Sequence, residues 1–179
     1  MAAVSLRFVL DPELSPRLRE QLVDLWVEVT NAGGAVGFVP PVTAAQVRPM
    51  AKATFAGIAD GPDRLLLGYA GERPIAMLIF RDNRFHLKPH WCTLIRVMVH
   101  PEAQGHGYGA EIMREAERLA PTLGFEALHL TVRGGLGLEE FYKRLGYREI
   151  GRLPGALRVA PGDDRDEVLM WRAVDMSSE

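Results

Sequence analysis

The 179-residue chain predicts a mixed α/β fold in a single domain, residues 1–179, with a central sheet of about six to seven strands flanked by about four helices. Three observations predict this class. Helical and strand patterns intermix along the whole chain. The strand–helix–strand pattern from Trp91 to Val132 predicts a right-handed crossover between two parallel strands. Apolar strand pairs joined by short connections predict antiparallel hairpins elsewhere.

The first half of the chain predicts a strand, two helices and a hairpin. Asp11-Pro12 ends the first strand. Proline is common just inside a helix start, so the same residues predict that a helix follows. In the first helix apolar residues recur at three- and four-residue steps, and Thr43 can cap the second helix. A loop rich in Gly and Pro separates the two helices. The predicted bounds are strand 6–10, helix 14–29, loop 31–41, helix 44–59, and hairpin strands 65–70 and 74–80.

The second half predicts a central strand, two further helices and three more strands. Strand 91–99 has too many apolar residues for one solvated face, so we expect it to be buried on both faces. The third helix begins near Gly107 and ends at Pro121. The other predicted bounds are loop 81–90, strand 125–132, helix 138–147, strand 148–153, loop 154–166, strand 167–174 and a frayed tail, 175–179.

Composition predicts a cytoplasmic protein without nucleic-acid or membrane partners. The formal net charge is −2, and acidic and basic residues are interspersed. Cys92 is the only cysteine, which excludes an internal disulfide, suits a reducing compartment and is expected in the core. We expect neither a secretory signal nor a membrane span, since no long apolar run is present. Composition leaves a monomer and a homodimer both open.

The segment VMVHPEAQGHGYGAEIM, residues 97–113, joins the central strand to the third helix through a glycine-rich loop. The first N–H groups of a helix have no partner within it, and the helix dipole makes them favour an anion. Glycine lets a ligand approach the backbone without meeting a Cβ. We therefore expect ligand approach at Gly105 and Gly107, and close packing at Gly109. The glycines alone fit a tight turn equally well.

Several other chemistries do not match the sequence. No Lys follows the glycines as in an ATP-type P-loop, and the third glycine comes one residue early for a dinucleotide fingerprint. Every serine lies near one end of the chain, and no nucleophile elbow is present. His86, His90 and Cys92 are too few for a metal site, and Pro89 breaks their spacing, so we expect no metal.

Gln104-x-x-Gly107-x-Gly109 resembles the [RQ]-x-x-G-x-[GA] signature of the GCN5-related N-acetyltransferase (GNAT) family. FYKRLGYREIG, residues 141–151, resembles the second signature of that family, and the resemblance covers about Leu65 to Trp171. It implies an enzyme that transfers acetyl from acetyl-CoA to a primary amine by direct attack in a ternary complex. The alternatives are a non-catalytic acyl-CoA-binding sensor and a protein or peptide N-acetyltransferase.

The resemblance also implies roles for individual residues. Backbone N–H groups of the loop would hold the pyrophosphate, and the end of the central strand would pair with the pantetheine arm. The Val99 amide would stabilise the oxyanion, and Tyr142 would protonate the leaving thiolate. The implied acetyl-CoA contacts are Val97, Met98, Val99, Gln104, Gly105, His106, Gly107, Tyr108, Gly109 and Ala110.

The sequence departs from the family pattern at two positions. Gly135 stands where many members have an Asn that contacts the cofactor. Thr93 stands where some members have a Glu or His as general base, and a threonine cannot serve in that role. The general base is therefore left open between a water, His86 and His90.

The resemblance assigns the acceptor site to the first two helices and the loop 31–41 between them. That loop is similar to loops of small-molecule acetyltransferases of the tabtoxin-resistance type. Trp26 and Phe38 would line an apolar acceptor pocket, although each also fits a core position. Acidic residues cluster only at 162–167, which predicts a solvated turn rather than a groove for a basic protein. We therefore predict a small-molecule amine as the acceptor.

Overall fold

A computed structural model describes residues 5–176 of the chain. These residues form a mixed α/β fold with seven strands and four α-helices, which confirms the predicted class. In chain order the elements are β1 (Arg7–Leu10), α1 (Pro16–Asn31), α2 (Ala44–Ala59), β2 (Arg64–Ala70), β3 (Arg73–Arg81), β4 (Trp91–Val99), α3 (Tyr108–Leu119), β5 (Ala127–Arg133), α4 (Leu138–Arg144), β6 (Arg148–Ala160) and β7 (Asp163–Ala173). Short 3-10 turns, Pro101–Ala103 and Pro121–Leu123, flank α3.

The strands form one sheet in the order β1-β2-β3-β4-β5-β7-β6, with β4 at its centre. The pairs β1–β2, β2–β3, β5–β7 and β6–β7 are antiparallel, as the predicted hairpins require. Strands β4 and β5 are parallel, which confirms the predicted parallel pair. Their ladder covers Trp91–Thr93, and β4 continues beyond it to Val99.

The prediction of a loop over 154–166 is wrong, because β6 and β7 extend into this range and meet in a short turn. Strand β6 lies at the edge of the sheet and contains Pro154. Proline has no backbone N–H to donate, and an edge strand tolerates this loss because it has a neighbouring strand on one side only. Charged pairs then join the two strands, as when Arg158 Nε donates to Asp164 Oδ1 at 2.7 Å. Asp164, within the predicted loop, is therefore a cross-strand partner of Arg158.

The prediction that β4 is buried on both faces holds only for part of the strand. Cys92, Leu94 and Met98 are buried, and the core position predicted for the cysteine is confirmed. The other side chains of the strand, including those of Val97 and Val99, are only half-buried. Side chains of the described residues therefore cover the central strand incompletely.

Contacts divide the chain into two compact units, and the first contains the residues up to Asp82 together with Ile95–Ala116. Its core is built on the apolar face of α1, where Ser15 caps the helix by accepting a hydrogen bond from the Leu18 N–H at 3.2 Å. That face packs with α2, β2, β3 and the end of β4. The α1 side chains in this core are Leu18, Leu22, Val23, Leu25, Trp26 and Val29.

The second unit contains Asn83–Leu94 and the residues from Glu117 onward. Its buried side chains come mainly from β5, with others from β4 and β7, and include Leu128, Leu130 and Met170. The single domain over residues 1–179 stays a prediction. The predicted frayed tail, 175–179, lies largely outside the described residues.

Replacing Leu22 by Ala should lower the free energy of unfolding by about 2–5 kcal/mol, because the side chain is fully buried and its loss leaves a cavity. Leu87→Ala is the matched control, since Leu87 is 66% exposed, and it should change stability by less than about 0.5 kcal/mol. Urea unfolding measures both variants. Equal effects would contradict the core assigned to α1.

Candidate active site

The glycine loop after β4 has the backbone shape and the open approach that ligand binding requires. Gly105 and Gly107 have φ values of +80° and +86°, which side-chain-bearing residues rarely adopt. A Cβ built on either glycine would meet no atom within 4 Å. Residues 104–107 are all exposed. The space in front of both glycines is therefore open to a ligand.

Helix α3 begins directly after this loop and points its positive end at it. The Glu111 N–H donates to the Gly107 carbonyl at 3.0 Å, as in the first turn of a helix. In the first turn of a helix the N–H groups precede the first internal bond and as a rule have no acceptor within the helix. The helix dipole adds partial positive charge at this end. Loop and helix together fit a diphosphate, with backbone groups as the donors.

Two polar side chains of the loop bind its own backbone. Gln104 Nε2 donates to the Val99 carbonyl at 3.0 Å and so ties the loop to the end of β4. His106 Nδ1 lies 3.0 Å from the Gln104 carbonyl, and its ring stacks on Tyr108 with centroids 5.9 Å apart. In this structure Gln104 and His106 hold the loop in shape, and the loop N–H groups form the candidate anion site.

The sequence analysis missed a buried polar cluster at the base of the loop. His100 directly follows β4 and is only 5% exposed. Its Nε2 contacts the Glu28 carboxylate of α1, and its Nδ1 accepts a hydrogen bond from the Glu102 N–H at 3.2 Å. Arg73 Nη2 also lies 2.7 Å from Nε2. The cluster fixes the end of β4 against α1 and starts the turn that leads into the glycine loop.

A histidine between an apolar strand and Pro101 was the local signal for this cluster. The signal was incomplete, because the partner carboxylate lies on α1 and no spacing in the sequence links the two. The side chain of Glu102, by contrast, is 79% exposed.

Tyr142 lies in the second unit, on α4, and is buried with 7% of its surface exposed. Its ring packs edge-on against Phe141 and Tyr147, with centroids 5.0 and 5.8 Å apart. Among residues 5–176 no hydrogen-bond partner engages its hydroxyl. Burial raises the pKa of Tyr142 well above the ordinary tyrosine value. The phenol therefore stays protonated and can act as a proton donor.

Tyr147 is a second buried tyrosine beside Tyr142 with different surroundings. Its hydroxyl is buried and has no hydrogen-bond partner within the described part of the chain. Burial raises the pKa of Tyr147, and the nearby Glu117 carboxylate raises it further. This hydroxyl is enclosed, so Tyr147 serves as a packing neighbour of Tyr142.

The loop 31–41 is held at its ends and at its middle. Asn31 Nδ2 donates to the Val42 carbonyl at 3.0 Å, and its Oδ1 accepts from the Val42 N–H at 2.8 Å. Trp26 Nε1 donates to the Val36 carbonyl at 2.8 Å from beneath the loop. Phe38 packs edge-on against Trp26, with ring centroids 5.9 Å apart. These contacts give the loop a defined shape.

Trp26 and Phe38 differ in how they can meet an acceptor. The Trp26 side chain has no exposed surface and belongs to the core, so it supports the loop. Phe38 is half-buried on the loop itself. Of the two aromatic residues predicted to bind the acceptor, Phe38 is the one that retains an accessible surface.

The predicted site residues fall into both compact units. The first unit contains Trp26, Phe38 and the acetyl-CoA contacts Val97–Val99 and 104–110. The second contains Tyr142, Thr93, His86 and His90. Both histidines are exposed in the loop between β3 and β4, and the Thr93 hydroxyl lies 3.2 Å from His129 Nδ1.

Two general features complete the description of the site. Within residues 5–176, no cluster of three or more His, Cys, Asp or Glu side chains could hold a metal ion. No helix in this same range combines the length and apolar character needed to cross a membrane.

Solved structures of several acetyltransferases share this fold. A protein assigned as a phosphinothricin N-acetyltransferase matches with a TM-score of 0.78 and 18% identity, over 96% of this chain and 99% of its own. A protein of Salmonella typhimurium assigned as an acetyltransferase, solved with its cofactor acetyl-CoA, has a TM-score of 0.72 and 14% identity, over 98% and 97%. The ribosomal-protein-S18-alanine N-acetyltransferase of Escherichia coli has a TM-score of 0.67 and 16% identity, over 97% of both chains.

Sequence relatives match a shorter segment. The tRNA uridine(34) acetyltransferases of Methanocaldococcus infernus and Methanocaldococcus jannaschii are 40% and 38% identical over 52 residues, or 29% of this chain. The chain covers only 10% and 9% of the length of those proteins. The family model described as "Acetyltransferase (GNAT) family" matches residues 22–147, which is most of the chain and includes both the glycine loop and Tyr142. The protein therefore belongs to the GNAT acetyltransferase family.

Proposed function

We propose that this enzyme acetylates the primary amine of a small molecule, by direct attack on the thioester in a ternary complex. The observation that carries the proposal is the anchored loop 31–41, which presents the half-buried Phe38 beside the buried Trp26. An aromatic surface on a loop of fixed shape suits a small ligand better than an extended chain.

The acidic residues support a small acceptor over a basic protein segment. The cluster at 162–167 lies on the β6–β7 hairpin. Asp163 pairs with Arg165, and Asp164 pairs with Arg158. These carboxylates are already neutralised, so they offer little attraction to a lysine-rich or arginine-rich partner.

Each residue of the proposed mechanism has a limited task. Backbone N–H groups of the glycine loop and of the first turn of α3 hold the diphosphate of acetyl-CoA. Main-chain groups of Val97–Val99 orient the pantetheine arm, and the Val99 amide donates a hydrogen bond to the thioester carbonyl oxygen. When bound, acetyl-CoA supplies the acetyl thioester. Tyr142 donates a proton to the sulfur that leaves.

The general base of the proposed mechanism is a water molecule that accepts the proton of the amine. His86 and His90 are the alternatives, and both are exposed side chains of the second unit. A cytoplasmic location and the choice between monomer and homodimer stay predictions.

A panel of amines tests the proposed function directly. The protein is mixed with acetyl-CoA and amino acids, polyamines, aminoglycosides, a lysine-rich peptide or a transfer RNA, and release of the thiol is followed. Turnover should be fastest with a small amine. Faster turnover with the peptide or the RNA would overturn the proposal.

Gly107→Ala should weaken acetyl-CoA binding by about 10-fold or more, because the methyl group enters the open approach and an alanine is strained at this φ. Gly71→Ala is the matched control, since Gly71 also has a positive φ of +60° and open space before it, but lies in the β2–β3 turn. Isothermal titration with acetyl-CoA compares the two. Similar affinity losses would argue against a diphosphate site at Gly107.

Tyr142→Phe should lower kcat by about 100-fold when chemistry limits the rate, because the departing thiolate loses its proton donor. Acetyl-CoA affinity should be unchanged. Tyr147→Phe is the control, since it removes a neighbouring buried hydroxyl that has no partner, and it should leave kcat unchanged. An unaltered kcat in Tyr142→Phe would remove this tyrosine from the mechanism.

The pH profile gives a separate test of Tyr142. Burial raises its pKa above the ordinary value of 10.0, so the protonated donor persists to higher pH than in a free tyrosine. We therefore expect no decline of kcat centred on pH 10 that depends on Tyr142. The test compares the pH profiles of the wild-type enzyme and Tyr142→Phe. Such a decline would mean that the phenol ionises normally and is not buried in the working enzyme.

Asn31→Ala should raise the KM for the amine several-fold and leave acetyl-CoA affinity intact, because two hydrogen bonds that close the acceptor loop are lost. Asn83→Ala is the matched variant, since Asn83 Nδ2 donates to the Lys88 and Trp91 carbonyls at 3.0 and 2.8 Å and holds the loop before β4. Steady-state kinetics measures both. A larger KM effect in Asn83→Ala would assign the acceptor to that other loop.

A further inference from the structure

Arg96, in the interior of β4, contacts the acceptor loop and both helices that the loop joins. Its guanidinium lies over the Trp26 ring, with Cζ 4.7 Å from the ring centroid. Its Nη2 lies 3.2 Å from Met50 Sδ on α2. A Cβ on Gly37 would come within 2.9 Å of Nη1, so the loop approaches the guanidinium as closely as a glycine allows.

Arg96 lacks the acidic partner that a desolvated cation usually has. Its Nε is buried without a hydrogen-bond partner, and within residues 5–176 no carboxylate pairs with the guanidinium. Its one hydrogen bond goes to a thioether sulfur, which is a weak acceptor. Burial, together with the like charge of Arg81, lowers the pKa of Arg96. The structure therefore holds a positive charge with nothing to balance it.

The backbone at Arg96 is also unusual. Its φ is +54°, in the left-handed region, which is uncommon for a residue with a side chain and rare inside a strand. Such conformations cost about 1–3 kcal/mol and are concentrated at ligand-binding and catalytic positions. The chain therefore maintains an unfavourable conformation at the same residue that carries the unbalanced charge.

We propose that Arg96 binds an acidic group of the acceptor, so that the acceptor is an amine that also carries a carboxylate or similar oxyanion, as an amino acid does. The inference rests on the proposed function, because it takes the acceptor to bind at the loop 31–41. A guanidinium presents a planar fork of N–H donors that binds a carboxylate through two parallel hydrogen bonds. Stacking on Trp26 holds that plane in a fixed orientation.

The position of Arg96 suits a ligand whose amine must reach the thioester. Arg96 precedes Val99 by three residues, roughly 10 Å along an extended strand. The acidic group can therefore remain on the guanidinium while the amine extends toward the Val99 amide. Phe38, which packs edge-on against the same Trp26 ring, supplies an apolar surface for the rest of the molecule.

Matched acceptors test the inference. L-methionine, L-phenylalanine and 4-aminobutanoate are each compared with their neutral carboxamides, and release of the coenzyme A thiol is followed. For at least one pair the acid should have a kcat/KM roughly 10- to 100-fold above that of the amide. Arg96→Gln should abolish this preference by raising the KM of the acid, with little effect on the amide. Arg96→Lys should keep part of it, since the charge is retained without the fork.

Two controls separate ion binding from packing. Arg17→Gln removes an exposed arginine of α1 and should leave the preference unchanged. Thermal unfolding and acetyl-CoA affinity show whether Arg96→Gln is folded, and Arg96→Lys provides the comparison if it is not. Equal losses of kcat/KM for acids and amides would mean that Arg96 only packs against Trp26, and would overturn the inference. A wild-type enzyme without preference for any acid would overturn it as well.

Binding measurements distinguish failure of this inference from failure of the proposed function. The same six amines are titrated calorimetrically onto the protein in the presence of coenzyme A. If no amine turns over, yet an acid binds and Arg96→Gln abolishes that binding, the anion site stands and the proposed activity fails. If amides turn over as well as acids, the proposed function stands and the anion site fails. If no acid binds in a way that depends on Arg96, the anion site is overturned, whether or not any amine turns over.

Discussion

The contact between His100 and Glu28 determines where β4 ends, and the donor half of the site depends on that end. Because His100 is buried, its ring must be satisfied within the protein, and the Glu28 carboxylate and the Glu102 N–H do so. The strand therefore stops at a fixed place against α1. The turn that follows then delivers the glycine loop and the first turn of α3 in one defined arrangement.

Helix α1 also contributes Trp26 to the acceptor loop, so one helix supports both halves of the chemistry. Glu28 and Trp26 lie within one turn of each other on α1. The first holds the end of the cofactor-binding strand, and the second holds the middle of the loop 31–41 through the Val36 carbonyl. A shift of α1 would therefore alter donor and acceptor geometry together. This explains why α1 carries so much of the buried apolar surface of its unit.

The parts of the site that sequence could predict are those made within a short stretch of chain. The glycine loop needs a backbone conformation that only glycine adopts easily. The presence of Gly105 and Gly107 in the sequence therefore indicates the positive φ values found there. Tyr142 is implied by the resemblance of the short helix and glycine around it to a family signature, and its catalytic role stays a prediction. The sheet class and the parallel β4–β5 pair followed from the order of the elements. In each case the signal and the structure lie in the same few residues.

The parts that sequence could not predict join residues that are distant in the chain. One helix and three strands separate Glu28 from His100 along the chain, and Arg96 likewise meets Gly37 and Trp26 from a distant position. From sequence alone, an arginine inside an apolar strand cannot be told from an arginine whose side chain is exposed to solvent. The hairpin over 154–166 was missed for a related reason, because Arg158 and Asp164 suggested a polar loop when each is the partner of the other.

In the function and the anion site proposed here, donor and acceptor recognition rest on different chemistry. The proposed diphosphate site consists of backbone N–H groups, whose position depends on glycine and on a helix end and hardly on side-chain identity. The proposed acceptor site consists of side chains, namely Phe38 on the loop and the guanidinium of Arg96 on the strand. Backbone recognition leaves a short and constant sequence signature, whereas side-chain recognition leaves one that varies with the ligand. The family signature thus identifies acetyl-CoA, and the acceptor has to be inferred from the unbalanced charge beside the loop.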